Sequence, residues 1–139
     1  MRTALPSLLL LNFLFATVAY GDDSQGDPRL DYMLQCQGCH GADGGERPSA
    51  GVPTLVDLVP RFLGSDEGRE FVLRVPGVSQ APLSNEALAS LMNWLLETYR
   101  SSEAAPQFTR YRASEVARAR ELGPFDVTAT RARLLADER

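Results

Sequence analysis

The chain has 139 residues, with 18 Asp and Glu against 14 arginines and no lysine, for a formal net charge of −4. That length suits one compact domain, and the acidic balance argues against nucleic acid as a partner. Two cysteines and one histidine are too few for a four-ligand structural zinc site unless a carboxylate or water joins them.

Residues 1–21 read as a secretory signal peptide. Arg2 is the positive n-region, Leu8 to Val18 the apolar run, and Ala19-Tyr20-Gly21 the small-x-small cleavage pattern. The run is short for a membrane span. An uncleaved anchor is the alternative, and the one route to membrane contact. The expected organisation is then a body at 22–105 and a C-terminal extension at 106–139. The body holds thirteen acidic residues against six arginines, the extension five against seven. An acidic body would be steered to a basic docking face on a partner, although a solvated acidic surface has the same composition.

Asp27 before Pro28 makes a helix start, with Asp as N-cap and Pro in the first turn. The helix runs to Gln35, with Leu30, Met33 and Leu34 at i, i+3, i+4 as its packed face. It delivers Cys36-Gln37-Gly38-Cys39-His40. A CxxCH run reads as a c-type haem attachment site, with a thioether from each cysteine to a haem vinyl group and the histidine on the iron. A thioredoxin-like dithiol would need a βαβ context, and no alternating strand pattern flanks the motif. A structural disulfide is possible in an exported protein but gives the histidine no role.

Glycines at 41, 44, 45 and 51 with Pro48 mark a loop. Cys36-Gln37-Gly38-Cys39-His40-Gly41, the Gly-rich loop and then Gly51-Val52-Pro53-Thr54-Leu55 resemble the opening half of a class I c-type cytochrome. The resemblance spans about Asp27 to Arg100 and implies an all-α helical domain around one covalent haem c, held by Cys36 and Cys39. It implies that His40 is the proximal iron ligand and that the Pro53 carbonyl orients it, an outer contact of the kind that fixes a ligand ring and raises its basicity. It also implies attachment of the haem outside the cytoplasm, in a Gram-negative periplasm.

Leu55 to Leu63, broken by Pro60, reads as a short helix or irregular wall. Ser65 caps a helix through Arg74, which Pro76-Gly77 stops. A loop from Val78 to Leu83 leads to Ser84, the N-cap of the most periodic segment, Asn85 to Tyr99. Leu88, Leu91, Met92, Leu95, Leu96 and Tyr99 form its apolar stripe beside Trp94. The resemblance sets Tyr32 or Leu30 against Trp94 or Leu91. Ser101 to Pro106 reads as a linker. A helix starting at Ser114 and stopped by Gly123-Pro124, and a second from Thr128 to Ala136, make up a tail with too few apolar residues for its own core.

Members of the family close the sixth iron position with a methionine from the loop before the last helix. Here that loop, Arg74 to Ser84, holds none, and no second histidine exists. Met92 is the candidate sixth ligand, with a core role as its ordinary reading; Met33, a weak Ser79-Gln80 ligand or an open position are the others. Arg47 and Arg61 are candidates for neutralising a haem propionate. The expected function is electron transfer, not catalysis, with a periplasmic dehydrogenase or other oxidoreductase as partner. The alternatives are a haem open to CO, NO or peroxide, and a relay subunit whose tail clamps a dehydrogenase.

Overall fold

A computed structural model describes residues 26–45, 47, 51–56, 61–99 and 108–137. The expected signal peptide, the 101–106 linker and Pro60 lie outside them. The domain is all-α, as expected. Helices α1 (Pro28–Gln35), α2 (Gln37–His40), α3 (Asp66–Arg74), α4 (Pro76–Ser79), α5 (Asn85–Thr98), α6 (Ala113–Glu121) and α7 (Val127–Asp137) follow one another, with a 3-10 turn at Phe62–Gly64. Among the described residues the only β pairing is an isolated antiparallel bridge, Arg47 to Val52.

The helix starts are set by local chemistry. Asp27 accepts from Arg29 N at 3.0 Å, Ser65 from Gly68 N at 3.0 Å, and Ser84 from Ala87 N at 3.1 Å. Each side chain satisfies one of the amides that a helix start leaves without an internal partner. Two expectations are corrected. Pro76 does more than stop α3: it opens the short α4, because a residue with no N–H loses nothing in a first turn. The tail helix starts at Ala113, with Ser114 inside its first turn; the Glu115 side chain accepts from Arg112 N at 2.9 Å.

Helix α5 is the central element. Leu88, Leu91 and Leu96 are at most 1 % exposed, and each such side chain contributes about 1.5–3 kcal/mol by leaving water. Helix α1 packs against α5 through Tyr32, whose ring lies 5.5 Å from Trp94 and 5.6 Å from Tyr99. The stripe assigned to α1 is corrected here: Leu30, Met33 and Leu34 are exposed, and Tyr32 is the buried residue. An eight-residue helix that meets the core along one line buries only that line. The pattern i, i+3, i+4 does not say which side it lies on.

The tail joins the same core. Tyr111, Val116, Ala119 and Leu134 are buried with the α3 and α5 residues. Buried Asn93 donates to the Tyr111 carbonyl at 3.0 Å and accepts from its amide at 2.8 Å. The Arg69 guanidinium lies 4.4 Å over the Tyr111 ring and donates to the Thr109 carbonyl at 2.7 Å and to Glu115 at 2.9 Å. Arg74 sits 4.3 Å over Phe125 and donates to the Gly123 carbonyl.

Candidate functional site

Helix α1 ends at Gln35, Cys36 makes a non-helical joint, and α2 adds one turn. Cys39 N and His40 N both donate to the Cys36 carbonyl, at 3.1 and 3.0 Å. That winding puts positions 36, 39 and 40 on one face, since residues three and four apart are neighbours on a helical turn. Both thiols are free; Cys36 is half-buried and Cys39 exposed. Burial, then the Asp31 carboxylate and Cys39, push the Cys36 thiol up, so it stays protonated through neutral pH.

His40 is held as a neutral ring. Burial lowers its affinity for a proton, the Pro53 backbone opposes this, and the Arg47 charge adds to it. Nδ1 is buried and closes no hydrogen bond. The Pro53 carbonyl therefore stands near the ring without hydrogen-bond geometry to that nitrogen. A neutral imidazole with an uncommitted nitrogen is the protonation state that metal ligation requires.

Two tyrosines fasten the chain that follows His40. Tyr32 Oη donates to the Gly41 carbonyl at 2.6 Å, and Tyr99 Oη to the Ala42 carbonyl at 3.1 Å. Gly44, at φ +63°, passes under Tyr99 so closely that a Cβ would lie 2.9 Å from the ring. Leu55 N then donates to the Gly44 carbonyl at 2.7 Å, and the Thr54 hydroxyl accepts from Val56 N at 3.0 Å. These bonds hang the Pro53 segment beside the His40 turn, so the expected neighbours are brought together.

The other candidates are placed elsewhere or otherwise engaged. Met92 is 2 % exposed and belongs to the core, while Met33 is half-exposed on α1. The Ser79 hydroxyl donates back to the Arg74 and Val75 carbonyls at 3.3 and 3.4 Å, and Gln80 is exposed. Arg61 lines a groove with Phe62, Gly68 and Leu134. Among the described residues no group of three or more His, Cys, Asp and Glu is arranged to hold a metal ion.

Several supporting residues escaped the sequence reading. The hydroxyls of Tyr32 and Tyr99 carry no pattern of their own. Nothing in the sequence separates Arg120 from the other arginines of the extension. Asn93 offered a faint hint, as a polar residue next to the apolar stripe of α5. The donor set fits a c-type haem: two free thiols and a neutral imidazole leave one helical face, with a buried orphan nitrogen on the ring. The chain matches no family model, and searches of curated proteins and of solved structures return no match.

Proposed function

We propose that the chain is an exported mono-haem c-type cytochrome that passes electrons to or from an oxidoreductase, in keeping with its class I resemblance. The observation that carries this reading is the shared face of Cys36, Cys39 and His40, with the imidazole neutral and the Pro53 carbonyl beside it. Cys36 and Cys39 would hold haem c covalently and His40 would hold the iron from one side. Pro53 would align the ring if its nearby carbonyl accepted from Nδ1, and the Tyr32 and Tyr99 hydroxyls fix the backbone that follows His40. When bound, the haem supplies a one-electron Fe(III)/Fe(II) couple. No acid–base step on a substrate is asked of the chain.

The protein co-expressed with a c-type maturation system should retain haem after denaturation, and the Cys36→Ala/Cys39→Ala double variant should not. A wild-type chain that keeps no haem overturns the reading. A second reading, a haem whose sixth position is open to CO, NO or peroxide, is favoured by the engagement of Ser79 and the core burial of Met92. Ferrous protein exposed to CO separates the two. A rapid, complete Soret shift supports the open position, and no shift supports a closed one with Met92 as the ligand.

A further inference from the structure

We propose that Arg47 is a positioning residue for His40: it ties the proline segment to the histidine turn and sets a positive charge against the residue that follows the histidine, favouring the reduced state of an iron bound there. The proposal rests on the haem reading above. Three observations place Arg47. Its backbone pairs with Val52, the residue before Pro53, in both directions (N to O at 2.9 and 3.2 Å). Its side chain folds back over Gly41, the residue after His40, so closely that a Cβ on Gly41 would lie 1.8 Å from Nη2. The same Nη2 donates to Asp43 at 3.1 Å, and Asp43 in turn accepts from Gly45 N at 3.1 Å. One residue therefore holds both arms of the 41–53 loop, and Gly41 is a glycine because the guanidinium occupies the space of a side chain and φ is +69°.

The sign of the effect follows from charge. Ferric iron carries one more positive charge than ferrous, and a guanidinium nearby raises the energy of the ferric state more. Asp43 opposes Arg47. Removing either charge should therefore move the potential in opposite directions, whereas a loop that only needs both residues for its shape responds to both losses in the same way. The side chains are 41 % and 72 % exposed, so solvent and salt weaken the effect.

The test uses the haem-loaded full chain and its Arg47→Gln, Arg47→Lys and Asp43→Asn variants, first checked for covalent haem. At a fixed poise, Arg47→Gln should lower the ratio of reduced to oxidised protein by a factor of about two to five and Asp43→Asn should raise it by a similar factor. Both shifts should shrink in high salt. Arg47→Lys should stay near wild type in potential, while amide exchange at Gly41 and Val52 should speed up in Arg47→Gln. If Arg47→Gln does not fold, Asp43→Asn carries the test by its expected rise, with Arg47→Lys expected to stay at the wild-type ratio. Shifts of the same sign in Arg47→Gln and Asp43→Asn, or no rise in Asp43→Asn, overturn the proposal. Absence of haem from the wild-type chain overturns the haem reading instead, and this inference with it.

Discussion

Tyr32 illustrates how much a single side chain does in a small domain. Its ring fills the crossing of α1 and α5, and its hydroxyl closes a 2.6 Å bond to the carbonyl one residue past His40. Tyr32→Phe keeps the ring contacts and removes only that bond, so it should cost about 1 kcal/mol in chemical denaturation. Gly44→Ala should cost more, about 2 kcal/mol or above: the added methyl meets the Tyr99 ring and must adopt a φ of +63°. At this scale the common face of Cys36, Cys39 and His40 was legible, because residues three and four apart meet on a helical turn. The tyrosine bonds were not: Tyr99 reaches a carbonyl 57 positions away, and no local pattern encodes such a partner.

Between elements, Arg120 closes four hydrogen bonds. From α6 its guanidinium donates to the carbonyls of Ser79, Ala81 and Leu83 and to Asn85 Oδ1, at 2.7–3.0 Å. It fixes the turn that joins α4 to α5. Arg120→Ala should lower stability by about 2 kcal/mol, and amide exchange should rise first between residues 79 and 85. The pairing of α7 with α3 through Arg133 and Glu67 is of another kind, exposed and dependent on pH. Arg133 holds the Glu67 carboxyl below the ordinary carboxylate range. Its contribution is therefore present above the ordinary value and lost as pH falls through the lowered one. The difference in unfolding midpoint between wild type and Glu67→Gln should be full at neutral pH and shrink as pH falls below the ordinary carboxylate range. The caps at Asp27, Ser65 and Ser84 were legible in sequence because a cap acts within three residues. The Arg120 contacts join residues 35 to 41 positions apart and were not.

On the scale of the whole molecule, the extension is part of the domain. Val116 and Leu134 enter the core, and Asn93 is buried only because Tyr111 supplies both its partners. A chain ending at residue 105 should lose cooperative unfolding, measured by calorimetry, since it exposes the α3 and α5 surfaces and leaves Asn93 unsatisfied. Asn93→Leu in the full chain should cost about 2–3 kcal/mol by stranding the Tyr111 amide and carbonyl. Charge acts on this scale as well. With thirteen acidic residues against six arginines over residues 22–105, the proposed electron exchange with a basic redox partner should slow as ionic strength rises. Stopped-flow rates against salt would measure it.

The sequence by itself determined what depends on near neighbours. It set the shared face of Cys36, Cys39 and His40, the capped starts of three helices and the apolar stripe of α5, because those interactions close within about one helical turn. Only the tertiary structure decided which side of α1 is buried, that Tyr99 ties down the loop after His40, and that the extension completes the core. Those contacts join residues far apart in the chain, and their energy exists only once α1, α3, α5 and α6 have met.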